Sequence, residues 1–148
     1  MPVPTVEAPK TVVLKGDLGQ GHREYAAGGA ITPGHLINLA NTGKVVVHAS
    51  AAGECPPMFA KEDALQGKTI ADAYASDDRV FCHQAVSGDE IYAWLEDNHN
   101  ISIGALLESA GDGTLQALTG DHAIAQALEA VDTTGAPTAA ARIRVKVM

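Results

Sequence analysis

Ile31-Thr-Pro-Gly-His-Leu-Ile-Asn-Leu-Ala-Asn-Thr-Gly-Lys-Val-Val-Val47 and Ile101-Ser-Ile-Gly-Ala-Leu-Leu-Glu-Ser-Ala-Gly-Asp-Gly-Thr-Leu-Gln-Ala117 are one pattern written twice, 70 residues apart. Ile31/Ile101, Gly34/Gly104, Leu36/Leu106, Ala40/Ala110 and Gly43/Gly113 coincide, and Thr32/Ser102, Ile37/Leu107 and Val45/Leu115 nearly do. Each copy is an apolar run, a turn and a second run. Asn41-Thr-Gly43 and Gly111-Asp-Gly113 supply residues that accept φ > 0, so each copy reads as a β-hairpin. A duplicated hairpin is scaffold, and neither copy carries a reactive constellation.

Outward from the hairpins, short apolar runs punctuated by Gly, Pro, Asn and Asp continue from His22 to the end, the pattern of a small barrel or sandwich. Strands are expected at 22–26, 35–39, 44–49, 56–60, 79–85, 90–95, 104–109, 114–118, 122–128 and 140–147. Residues 122–128 also have helical spacing. Ala60-Lys-Glu62 after the first hairpin resembles Ala127-Leu-Glu129 after the second, which favours a strand there. A third hairpin is expected around Ser87-Gly88-Asp89, with Phe81, Tyr92 and Trp94 as packing residues. Residues 62–75 have room for one short helix. The fold class is therefore mainly β: a small barrel or sandwich built on duplicated hairpins, with an extended N-terminal arm and at most one short helix.

The arm is residues 1–21 and the remainder, 22–148, reads as a single β domain. Pro2, Pro4 and Pro9 fix φ and remove donors, while Gly16, Gly19 and Gly21 oppose a helix, and only Thr11–Leu14 resembles a strand. The arm is expected either to bind a partner or to be a loose tail.

Ten basic against eighteen acidic residues give a formal charge of −8, which repels phosphate backbones and anionic membranes alike. Nine acidic residues and one basic, Arg79, fall between Asp72 and Asp112, so a negative solvated face is expected. Neither a secretory signal nor a spanning segment is legible. Cys55 and Cys82 read as two buried thiols rather than a disulfide framework.

Chemistry is looked for without success. Gly67-Lys68-Thr69 imitates the end of a phosphate-binding loop, but Glu62 stands where that loop needs glycine. The histidines, His22, His35, His48, His83, His99 and His122, have no zinc-ligand spacing. No nucleophile is placed with a base, and Cys82 and His83 would diverge on a strand. No cofactor, metal or catalytic residue is expected.

Five stretches remain: Gly67-Lys-Thr-Ile70-Ala-Asp-Ala-Tyr74, Gly88-Asp-Glu-Ile-Tyr-Ala93, Leu106-Leu-Glu-Ser109-Ala-Gly-Asp-Gly-Thr-Leu115, Ala127-Leu-Glu-Ala130 and Ala141-Arg-Ile-Arg-Val145. Through them residues 24–147 resemble the capsid decoration, or cement, proteins of tailed bacteriophages. The resemblance implies a structural, non-enzymatic virion protein made in the host cytoplasm. Such a protein oligomerises, commonly as a trimer, on the outside of an assembled head and locks major capsid subunits together. Partners would be the major capsid protein and itself, without nucleic acid or membrane. The arm's composition nominates Val3, Pro4, Val6, Lys10, Val12, Val13, Leu14 and Lys15 for the capsid contact. The competing class is a small oligomeric β-barrel enzyme or carbohydrate-binding module with a site between subunits.

Overall fold

The computed structural model describes residues 8–148 and is mainly β, with 39% strand and 5% helix. Ahead of the repeats lie β1 (Val13–Lys15) and a single helical turn, α1 (Leu18–Gly21). The first half then contributes β2 (His22–Ala26), β3 (Leu36–Leu39), β4 (Val45–Val47), β5 (Met58–Lys61) and β6 (Arg79–Gln84). These pair in the order β2-β6-β5-β3-β4, and a parallel bridge from Ala27 to Val45 links the two ends. The second half contributes β7 (Glu90–Leu95), β8 (Asn100–Ile101), β9 (Leu106–Ser109), β10 (Leu115–Ala117), β11 (Ala125–Ala127), β12 (Val131–Asp132) and β13 (Ala141–Val147). Their order is β7-β10-β9-β11-β13, and β13 pairs back onto β7 to close a five-stranded barrel.

The duplication is larger than the hairpin. In the first half β2, β3, β4, β5 and β6 have the neighbours that β7, β9, β10, β11 and β13 have in the second. Registers agree as well. Ile37–Val47, Asn38–Val46 and Leu39–Val45 recur as Leu107–Ala117, Glu108–Gln116 and Ser109–Leu115. The ladders His22–His83 and Phe59–His83 recur as Glu90–Lys146 and Gln126–Lys146. The parallel bridge Ala27–Val45 answers to Leu95–Leu115, and the bridge Ile31–Tyr74 to the β8–β12 pair at Ile101–Val131. The two hairpins thus hold equivalent positions in two barrels of one topology, not in one barrel.

This corrects the expected third hairpin. β6 pairs with β2 and β5, and β7 with β1, β10 and β13, so Ser87-Gly88-Asp89 turns the chain between repeats without pairing its flanks. Each flank already has its partners inside its own barrel. Residues 62–75 hold a 3-10 turn, Ala64–Gln66, in place of a helix, and 122–128 is strand at Ala125–Ala127.

Alternation along each strand separates two cores. Ala27, Ile31, Ile37, Val45, Met58, Ala60, Val80 and Cys82 pack inside the first barrel. Ile91, Ala93, Leu95, Leu107, Leu115, Ala125, Ile143 and Val145 pack together in the second. Leu36 and Phe59, of opposite parity to Ile37 and Ala60, leave the first barrel and join the second cluster, fully buried. The joint between barrels is therefore hydrophobic core and not a linker.

Phe59→Ala is expected to destabilise the whole chain by about 3–5 kcal/mol, the usual range for emptying a buried phenylalanine site. The chain should unfold in one transition, because the barrels share apolar surface. Denaturant titration checks this, and a loss below about 1 kcal/mol would contradict the shared core.

Candidate functional site

The arm was expected to offer its side chains to a partner, but part of it is spent inside the molecule. Val3, Pro4 and Val6 lie outside the described residues. Lys10 and Lys15 are exposed and Leu14 is half-buried, whereas Val12 and Val13 are buried in the second barrel's cluster. β1 pairs antiparallel with β7, Val13 opposite Ile91 and Lys15 opposite Glu90, and the Val12 carbonyl accepts the Tyr92 N–H at 2.7 Å. Glu62 accepts from the Thr11 hydroxyl at 2.5 Å and the Val12 N–H at 3.1 Å. The three prolines all precede Lys10, so the following residues keep their donors and β-branched side chains and form a strand. The expected arm, residues 1–21 bound to a partner or loose, is thereby corrected for 12–15, which belong to the body.

Below this strap lies a buried pair. Asp17 caps α1 by accepting the N–H groups of Gly19 and Gln20 at 3.0 and 3.1 Å. Gly21 then passes against the His83 ring, whose Nε2 donates to Asp89 Oδ2 at 2.9 Å. Asp89 also accepts the Val86 N–H at 3.1 Å, and His83 Nδ1 has no hydrogen-bond partner among the described residues. Asp89 and Glu108, expected among the solvated acids, are both buried. Burial works to raise the Glu108 carboxyl, but the Thr119 hydroxyl at 2.6 Å, the Gln116 amide at 2.9 Å and backbone N–H groups outweigh it and hold it low.

The barrel joint concentrates the other polar contacts. The Pro33 carbonyl accepts Trp94 Nε1 and Arg142 Nη2, each at 3.0 Å, and the Gly34 carbonyl accepts the Trp94 N–H at 3.2 Å. Gly34 has φ +99°, and a Cβ there would stand 3.0 Å from the Tyr92 carbonyl oxygen, so glycine is required by conformation and by space. The Arg142 guanidinium lies 4.4 Å from the Trp94 ring centre. His48 Nδ1 meets Ser109 Oγ at 2.6 Å, while the Ala52 N–H donates to the Ser109 carbonyl. This serine–histidine pair, 61 residues apart in sequence, escapes motif reading. Ser109 is fully buried, so the pair joins barrels and exposes no nucleophile.

Among the described residues no three His, Cys, Asp or Glu side chains converge as metal ligands, and no helix is long and apolar enough to cross a membrane. Cys82 is buried, Cys55 half-buried, and both are free. Burial pushes their thiols up to about 12 and about 11. The histidines are dispersed: His22 beside Glu24, His35 at the joint, His99 beside Glu96 and His122 on the Ala52 carbonyl. No family model matches the chain, and no curated protein is similar to it at a significant level.

Two predictions follow from these environments. At pH 8 a thiol of pKa about 11 is only roughly one part in a thousand thiolate, so alkylation of Cys55 and Cys82 should be slow in the folded protein and fast after unfolding. Mass spectrometry reads this, and rapid native labelling of both would contradict it. Burial also lowers His35, whose Nδ1 accepts the Thr32 N–H at 3.1 Å and loses that role on protonation. With the folded value below the unfolded one of about 6.5, its stabilisation is full above that pH and is lost as pH falls below it. His122 is shifted the other way by its bond to Ala52, but it is exposed to solvent and contributes little. His35→Asn, which keeps an acceptor that does not titrate, should flatten the fall in melting temperature between about pH 7 and 5.

Proposed function

We propose that this protein is a structural, non-enzymatic component of a phage virion, cementing neighbouring major capsid subunits on the outside of the assembled head. It would act as a homo-oligomer, commonly a trimer in the resembled family. The observation that carries the reading is how the chain spends its side chains. Buried polar groups such as Glu108, His48, Ser109 and Asp89 are committed to bonds within the body. Large apolar side chains stand outside instead, among them Leu18 at 55% and Leu65 at 87% exposed, beside the strap. That distribution suits adhesion between folded proteins. A head under internal pressure is stabilised by anything that binds the assembled lattice and not the free subunit, and a rigid two-barrel body joined by core loses little entropy on docking.

The strap divides the arm into two testable parts. Deleting residues 1–9 is expected to leave the melting temperature nearly unchanged and to weaken binding to expanded, undecorated heads at least tenfold. Deleting residues 1–15 should also destabilise the body, since Val12 and Val13 leave the core. Cosedimentation with heads and thermal melting separate the two. Undiminished binding by the 1–9 deletion would remove the arm from the interface, and a protein with no head affinity that turns over or binds a sugar would favour the barrel enzyme or carbohydrate module.

A further inference from the structure

The duplication leaves an account half-closed. Within the chain, one face of the first barrel meets a different face of the second. The first barrel gives Pro33, Gly34, Leu36 and His48, and the second gives Tyr92, Trp94, Arg142, Ser109 and Gly113. Because the barrels are equivalent, the second has its own copy of the first face, and the first has its own copy of the second. Register places these copies at Ile103, Gly104, Leu106 and Leu118 on one side, and at Glu24, Ala26, Arg79, Leu39 and Gly43 on the other.

Among the described residues nothing covers either copy. Pro33 and Gly34 are buried, whereas Ile103 is 72% exposed and Gly104 is exposed. Ser109 is fully buried, whereas Leu39 is 49% exposed. Gly104 has φ +88°, close to Gly34, yet the space a Cβ would fill is empty apart from the Gln126 amide at 3.9 Å. The Ala27 N–H donates to Asp78, so by alternation those of Glu24 and Ala26 point to the open edge of β2. Their counterparts on β7, Tyr92 and Trp94, donate to Val12 and Gly34.

We infer that a second copy of this chain covers these faces, head to tail, with Ile103–Gly104 of one copy seated on the β2 edge of the next as Pro33–Gly34 is seated on β7. The exchanged residues fit each other. Where the internal joint matches His48 with Ser109, the external one matches Leu118 with Leu39, an apolar pair for a polar one. Arg79, at the Arg142 position, is ion-paired with Glu24 at 3.3 Å and would meet the Ile103 carbonyl of the next copy as Arg142 meets that of Pro33. A surface cleft bounded by Glu24, Ala26, Asp77 and Arg79 marks the receiving site.

A two-fold relation between the barrels would have closed both joints inside one chain, so the rotation is of another order and the chain is open at both ends. Ala52, in the connection from β4 to β5, and His122, in the equivalent connection from β10 to β11, touch at 3.0 Å. Equivalent connections in contact lie near the rotation axis, which favours a ring closing about these loops over a wide filament. This inference rests on the oligomeric part of the function proposed above and not on its capsid part.

Light scattering of the full chain tests it with two blocking variants, Leu39→Asp and Ile103→Asp. Each alone is expected to give a folded monomer of 15.3 kDa, with the far-ultraviolet circular dichroism of the parent. Mixed, they should form a one-to-one dimer and nothing larger, because each retains the face the other has lost. Leu65→Asp, on neither face, should leave the parent mass unchanged. Should either variant fail to fold, Leu39→Cys combined with Leu118→Cys is expected to link copies into one discrete oligomer under oxidation. A monomeric parent, variants of unaltered mass, or a double cysteine that links no copies would overturn the inference. So would a mass that responds only to deletion of residues 1–9, which would make the arm the contact. Head binding measured in parallel keeps the two readings apart: rings that ignore heads refute the capsid role alone.

Discussion

At Pro33–Gly34 the backbone lies against Trp94 and Arg142, and two carbonyl oxygens there collect three donors from the other barrel. Hydrogen bonds of this kind need close approach, and a side chain at position 34 would hold the barrels apart. With the approach secured, Leu36 and Phe59 reach the second core, and His48 reaches Ser109. The polar contacts orient the joint, and the apolar ones supply most of its free energy, at about 1.5–3 kcal/mol for each large side chain removed from water.

The same strands serve different masters on their two faces. Ile37 closes the first barrel, while Leu36, one residue away, belongs energetically to its neighbour. That economy explains why a chain of 148 residues supports two barrels: neither has to complete a core alone, because each borrows from the joint. The buried polar groups follow the same logic. Glu108 takes its donors from Gln116 on β10 and from Thr119 and Gly120 in the turn that follows, so that turn is ordered by the charge it covers.

The elements that could be read from sequence are those whose causes are local. Gly43 and Gly113 mark turns, alternation such as Ile91, Ala93 and Leu95 marks a buried face, and both act within a few residues. The complete rings were illegible because the weakest link of each is a single parallel contact, Ala27 with Val45 and Leu95 with Leu115, that leaves no periodic trace. The turn at Ser87-Gly88-Asp89 was legible as a reversal and misleading as a hairpin, since pairing depends on what else competes for β6 and β7. Val12 and Val13 were read as a partner's contacts because the prolines before them dominate the arm's composition. One clue to Glu108 lay open: its counterpart Asn38 is polar too, and each follows two apolar residues, Leu36-Ile37 and Leu106-Leu107.

Because β1 docks on β7 and not on the adjacent first barrel, the order of synthesis matters. The first repeat can leave the ribosome and close while the strap has only its two bonds to Glu62, without the β7 edge on which Val13 pairs with Ile91. The strap is then the last piece fastened and, with few bonds of its own, the first to let go. Its docking reports that the second repeat is finished, so a truncated chain would carry a visible hydrophobic flag that a complete chain has folded away.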